Sequence, residues 1–393
     1  MLKYWIWLTS RNGLSSRSIL ALLRRFPSPE EIYFAEERDY REVEGLGEAD
    51  IPRLMNKDLA DCDRILKECD EKSIQILTMQ DAAYPRRLKN IADPPAVLYY
   101  KGRLPLFDAE PVITVVGSRS ASAYGLLMAK RLGYQIARCG GIVVSGGARG
   151  IDSMALRGAL PTDRPTVVVL GCGVDVVYPR ENAGLFEDVT RNGCLISEYP
   201  PGTPPEGYHF PVRNRIMTGL GLGVLVVEAA EKSGTLISAQ LALDQGRDVF
   251  AVPGNVGLPS CAGSNRLIKE GAFLAENGWD VMHEYVSLFP ERIVNFRGTV
   301  SMTLNASERQ EQAFPAAEPV LEMRRVDARD WCEPAGLTEE ERRVTALLRD
   351  GAMHIDDLIE ELQLPAPRAM ALMTLLEMKH IVCRLPGSRY ELA

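Results

Sequence analysis

The sequence is poor in the residues that bind metals and form cross-links. Its four histidines never approach zinc-ligand spacing, and its eight cysteines include no Cys-x-x-Cys pair. Neither a structural metal nor a disulfide framework is expected, and reduced, cytoplasmic residence follows. No apolar run approaches the roughly 20 residues needed to cross a bilayer, and the aromatic start MLKYWIWLTSRNGL reads as a packed helix rather than a leader. No GK[ST] triplet, GxSxG elbow or HExxH pair occurs, so the sequence lacks the usual machinery for nucleotide, ester or metal-assisted peptide hydrolysis. Positive charge is also in deficit: a net charge of -8 argues against coating nucleic acid by bulk attraction, and any anion site must be a local pocket.

What is present is an ordinary globular composition, 46% hydrophobic and 25% charged over 393 residues, enough for two or three domains. Residues 1–75 read as a helical domain, with Trp5, Leu8, Ile19, Leu22 and Phe26 at helical spacing. Within it, GLGEADIPRLM at 45–55 is either a phosphate-presenting turn or a plain tight turn between helices. Residues 76–290 form the next domain. From about 95 onward, short β-branched runs, most of them ending in glycine, lead into helices: VITVVG, GIVVSG, TVVVLG, CLISE, GVLVVEA and DVFAVPG. Uniformly apolar strands of this kind belong to an α/β parallel sheet covered by helices on both faces, with ligands at the carboxyl ends of the strands. Residues 291–335 read as a polar linker, and 336–393 as three helices and a hairpin around PGS, a winged helix.

Four segments converge on that sheet edge. GSRSASAYG places Gly117, Ser118 and Arg119 between a strand and a helix, where free amides and the helix dipole attract an anion, although Ser120 or Ser122 could serve only as a cap. SGGARGID brings Gly146, Gly147 and Arg149 to a second helix start. YHFPVRNRIMTGL combines the Phe210 ring with Asn214 and Arg215, rings to stack bases beside guanidiniums to hold phosphates. EKSGT supplies Lys232, Ser233, Gly234 and Thr235. One long anionic ligand accounts for all four better than four coincidences do. Asp152, Glu198 and Glu228 at strand ends are the nearest thing to an acid and base pair, though such carboxylates more often orient arginines or cap helices. RLIKEGA offers Leu267 and Ile268 as an apolar dimer contact.

In this order and spacing, GSRSASAYG, SGGARGID, GCGVDVVYPREN, SEYPPG, HFPVRNRIMTGL, VVEAAEKSGTLISA and VPGN resemble the DNA-processing protein A family, also called Smf, over about residues 95–275. The resemblance implies a Rossmann-like core with an N-terminal sterile-alpha-motif-like helical domain and a C-terminal winged helix. It implies a homodimer without cofactor or catalytic residue that binds and shields single-stranded DNA in natural transformation and loads a RecA-type recombinase onto it. By motif, the DNA contacts would be Gly117, Ser118, Arg119, Gly146, Gly147, Arg149, Phe210, Asn214, Arg215, Lys232, Ser233, Gly234 and Thr235. The chain departs from the family pattern just before HFP, where Glu206, Gly207 and Tyr208 replace a common basic residue, which implies weaker or more stacking-dependent binding. The rival is a nucleotide enzyme of the phosphoribohydrolase type, but its PGGxGTxxE loop is absent and Ala239 stands where its acid would be. The winged helix, with seven Lys and Arg against ten Asp and Glu, is better suited to protein contact than to groove reading.

Overall fold

The computed structural model describes residues 1–11, 13–296, 298, 337–349, 351–379, 381–385 and 389–392. Most of the expected linker, from 299 onward, lies outside them, as does the PGS turn. The chain divides into two compact units, 1–313 and 314–393.

Six helices open the first unit: α1 (Leu2–Thr9), α2 (Ser16–Arg25), α3 (Pro29–Phe34), α4 (Glu37–Arg41), α5 (Ile51–Met55) and α6 (Ala60–Glu71). Their starts follow from local chemistry. Ser15 accepts the Ser18 amide ahead of α2, and Ser28 accepts the Glu31 amide ahead of α3, whose first residue is a proline already set for a helix. The GLG segment is an interhelical turn followed by the buried Asp50, which accepts from Ser18 Oγ at 2.6 Å and pairs with Arg53 at 2.8 Å. A carboxylate at that place opposes phosphate. Trp7, Leu22, Ile32, Tyr40 and Leu54 are fully buried, and their cluster runs without a break into Ile113, Val115 and Leu126 on one face of the sheet. The N-terminal helices are thus part of the packing of the sheet.

The sheet has nine strands: β1 (Gln75–Thr78), β2 (Val97–Gly102), β3 (Val112–Val116), β4 (Ile142–Ser145), β5 (Thr166–Leu170), β6 (Cys194–Ser197), β7 (Gly223–Val226), β8 (Asp248–Ala251) and β9 (Phe273–Leu274). Their order is β1-β2-β6-β5-β4-β3-β7-β8-β9. Strands β3 to β9 pair in parallel, whereas β2 runs antiparallel to both β1 and β6. The glycine-ended runs mark the parallel strands; β1 and β2 lack that rhythm, which is why the sequence pattern alone does not extend the sheet to them. Alternation sends Ile113, Val143 and Val168 to one face and Val112, Val144 and Val167 to the other. The first face is covered by α8 (Ala123–Arg138), α9 (Ile151–Ala159) and α10 (Ala183–Asn192), the second by the short α7 (Arg86–Lys89), α11 (His209–Leu220), α12 (Thr235–Asp244) and α13 (Ala262–Lys269).

From β3 the chain builds outward through β4 and β5 to β6, then returns to the other side of β3 for β7 and β8. The loops leaving β3 and β7 therefore diverge to opposite faces and open a crevice at the carboxyl edge. Helices α8 and α9, which follow the first two of these loops, are locked together backbone to backbone. A Cβ on Gly133 would stand 2.1 Å from the Ala155 carbonyl oxygen, and one on Gly158 2.0 Å from that of Lys130. Only glycine permits this approach, so the two loops keep a fixed spacing.

The second unit has helices Glu339–Leu348, Ile355–Leu362 and Ala366–Met378 and a sheet of β10 (Met353–His354), β11 (Val382–Leu385) and β12 (Arg389–Leu392) in the order β10-β12-β11. Thr338 and Glu341 cap the first helix reciprocally. Val344, Leu358, Leu376 and Tyr390 share the core. This is the winged-helix arrangement expected from the sequence.

Candidate nucleic-acid interface

The crevice holds an open pocket of about 620 Å³, walled by the loops after β3 and β4 and by the first turns of α11 and α12. Its first wall is the loop after β3. Ser122 caps α8 by accepting the Gly125 amide, and the Glu228 carboxylate, at the end of β7, receives both the amide and the hydroxyl of Ser122. Glu228 is 1% exposed. It ties one side of the switch point to the other and is not free to act as an acid or base.

The second wall is the loop after β4. Gly147 and Gly150 have φ of +65° and +75°, which side chains rarely adopt. A Cβ on Gly150 would lie 2.4 Å from the Ser118 carbonyl oxygen, and Ile151 donates its amide to that same oxygen at 3.2 Å. The two glycine loops consequently touch through their backbones. Asp152, in the first turn of α9, is buried beneath them and accepts the Ala148 amide at 3.4 Å. Burial pushes its carboxyl up, against the opposing pull of Arg213 and Arg119.

The third wall is α11, and its centre is Phe210. The Arg119 guanidinium lies over the ring at 5.4 Å, Arg213 lies at 6.0 Å, and the Tyr178 ring packs at 5.5 Å between centroids. Arg213 is 4% exposed and donates to the Gly146 and Val169 carbonyls, while its Nε has no hydrogen-bond partner among the described residues. Burial lowers its pKa to about 10, with Asp152 as the main counter-charge. Tyr178 is held by a loop anchored on the N-terminal helices: Lys72 pairs with Asp175 at 2.7 Å, and Asp175 accepts the Gly202 amide at 2.8 Å. On the fourth wall, Ser233 accepts the Thr235 amide at 3.2 Å, a local turn that sets Gly234 and Thr235 at the start of α12.

The pocket lining includes Gly117, Ser118, Arg119, Phe210, Asn214, Ser233, Gly234 and Thr235. Gly146 and Arg149 line a smaller adjoining recess with Tyr178, and Arg149 pairs with Glu181. Gly147 packs against Val168 and Phe186 as part of the turn, and Lys232 is exposed outside the lining.

Arg215 is not brought to the pocket. It is buried on the other side of α11, its Nη2 reaching both Glu198 carboxylate oxygens at 2.8 and 2.9 Å and its Nε donating to Asp93 at 3.1 Å. Residues two apart on a helix point about 200° away from each other, so Arg213 and Arg215 cannot serve the same face. Helical periodicity, applied from His209 onward, is the signal that selects Arg213. Tyr178 had no such signal beyond its place in GCGVDVVYPREN. Leu267 is likewise corrected as a dimer contact: it is 7% exposed in the core beneath the sheet, with Ile268 packed on the same cluster, because the apolar side of α13 faces its own sheet.

A doubly wound sheet with glycine loops, arginines and packed rings at its carboxyl edge, in a chain that also carries a winged helix, defines a Rossmann-like protein. Residues 75–286 match the profile of the DNA recombination-mediator protein A family, and residues 333–388 that of the DprA winged helix domain. The chain is 31% identical to protein Smf of Synechocystis over 99% of its own length and 98% of that protein. It is 41% identical to DNA processing protein DprA of Bacillus subtilis over 59% of its length and 77% of that protein. The X-ray structure of DNA processing protein A from Streptococcus pneumoniae superposes with a TM-score of 0.65 at 33% identity, covering 72% of this chain and 98% of that one. The chain belongs to the DNA recombination-mediator protein A family, the DprA/Smf proteins.

Proposed function

We propose that the pocket binds single-stranded DNA and that the protein delivers this strand to a RecA-type recombinase without reacting on it. The observation that carries the reading is Phe210, an aromatic ring flanked by Tyr178 and covered by Arg119 inside an open pocket bordered by two glycine-loop cradles. A single strand needs a surface for an unpaired base and donors for the phosphates on either side, and these are the groups present. Binding rather than chemistry is supported by the carboxylates: Glu228 holds Ser122, the cap of α8, Glu198 grips Arg215, and Asp152 offsets buried arginine charge. The protein acts as a cytoplasmic homodimer in this reading. The exposed edge strand β9, with Phe273 and Leu274 each about half exposed, is the better dimer surface than the buried Leu267.

Titration calorimetry tests the reading. A polymer site binds an oligonucleotide far more tightly than any mononucleotide, whereas micromolar binding of a single nucleotide, unmatched by the oligonucleotide, would transfer the case to a small-nucleotide site.

A further inference from the structure

The winged helix carries a groove of about 480 Å³ between the start of its first helix and its third helix, the one that would read DNA in a groove-binding protein. Both cations of the third helix and its C-cap among the described residues, Arg368 and Lys379, are already engaged. Arg368 pairs with Glu340 at 3.0 Å at one end of the groove, and Lys379 pairs with the buried Glu341 at 2.5 Å at the other. A phosphate would have to compete with both carboxylates.

What the third helix shows to solvent is apolar. Leu375 is 48% exposed and Met370 59%, and Ala371 is exposed between them. Residues 368, 371, 375 and 379 share one helical face, so the groove has an apolar floor with an ion pair at each end. Three carboxylates line the groove against two cations, and Glu339 has no ion-pair partner among the described residues; elsewhere on the same unit the second helix exposes Asp356, Asp357, Glu360 and Glu361. A duplex offers charge of the same sign and nothing to cover Leu375; a segment with apolar residues along one face and cations beside them complements both features.

We propose that this groove is a docking site for a short helical segment of a protein partner, leucine-like on one face and rich in lysine or arginine at its margins. Its role is independent of the pocket on the first unit.

The test uses the full chain and a fluorescein-labelled peptide of about 15 residues, roughly four helical turns, with leucine at i, i+3, i+4 and i+7 and lysine elsewhere. Its glutamate counterpart and a labelled duplex are the comparisons. The lysine peptide binds and the glutamate peptide does not; Leu375→Asp and Glu339→Lys each weaken binding about tenfold, in the range of a central interface contact, without lowering Tm. Because both positions are exposed, Ala371→Asp serves as a third variant should either fail to fold. No binding of the lysine peptide, binding indifferent to all three variants, or binding of the duplex that Leu375→Asp abolishes would each overturn the proposal.

Discussion

Arg119 covers the ring of Phe210 at 5.4 Å, although Arg119 comes from the loop after β3, which leads to a helix on one face of the sheet, and Phe210 from the first turn of α11 on the other. A guanidinium placed over an aromatic face is held in plane, and its remaining donors are directed along the rim, where a phosphate adjacent to a stacked base would lie. Phe210→Ala removes the stacking surface while leaving the cations. Its affinity for a single-stranded oligonucleotide should fall by about 1–3 kcal/mol, with the salt dependence unchanged. Fluorescence anisotropy at several salt concentrations separates the two effects.

Arg215 makes a different prediction from its neighbour Arg213. Buried between Glu198 and Asp93, it stabilises the junction of α11 with the sheet, and Arg215→Ala leaves two carboxylates without their cation. The variant should lose about 3 kcal/mol of stability in urea unfolding, while the protein that remains folded binds single-stranded DNA within about twofold of the parent, the scatter expected for a residue outside a site.

Asp152 gives the pocket a pH dependence of definite sign. Burial raises its carboxyl above the ordinary value, so it takes up a proton as pH falls toward the acid range while unburied carboxylates are still charged. Loss of that negative charge leaves Arg213 and Arg119 uncompensated, and affinity for the strand rises as pH falls. For the same reason its raised pKa makes the folded state relatively more stable at low pH, an advantage lost as pH rises through the folded value. Asp152→Asn should flatten the affinity profile and bind about fivefold more tightly at neutral pH, roughly 1 kcal/mol for one nearby charge in a solvated pocket. An Asp152→Asn profile as steep as the parent's assigns the dependence to another group.

The dimer prediction separates two apolar positions. Leu267→Glu places a carboxylate in the protein's own core and should lower Tm or abolish folding, whereas Phe273→Glu at the sheet edge should leave Tm nearly unchanged and shift sedimentation equilibrium toward monomer.

The parallel sheet was readable in the sequence because buried strands have no polar face and most of the runs end at a glycine that the following loop uses. Strands β1 and β2 were not, since four to six residues at an antiparallel edge carry no such signature. The pocket was readable as a set of loops but not as a set of side chains. HFPVRNR shows two arginines, and only its helical conformation decides that Arg213 enters the wall and Arg215 the core. For α13 the pattern revealed an apolar side without revealing whose surface covers it. The loop that brings Tyr178 to the pocket is held by the ion pair of its Asp175 with Lys72, more than a hundred positions earlier in the chain, a relationship that no local spacing records.

The most direct measurement is anisotropy of a labelled single-stranded oligonucleotide with the intact protein and with Arg119→Ala, each across a salt series and competed with duplex. The account predicts tight binding of the single strand, poor competition by duplex, and a salt slope for Arg119→Ala that is shallower by about 0.7, the value for one lost phosphate contact on a single strand. Equal affinity for duplex, or an Arg119→Ala variant with unchanged affinity and slope, would contradict it.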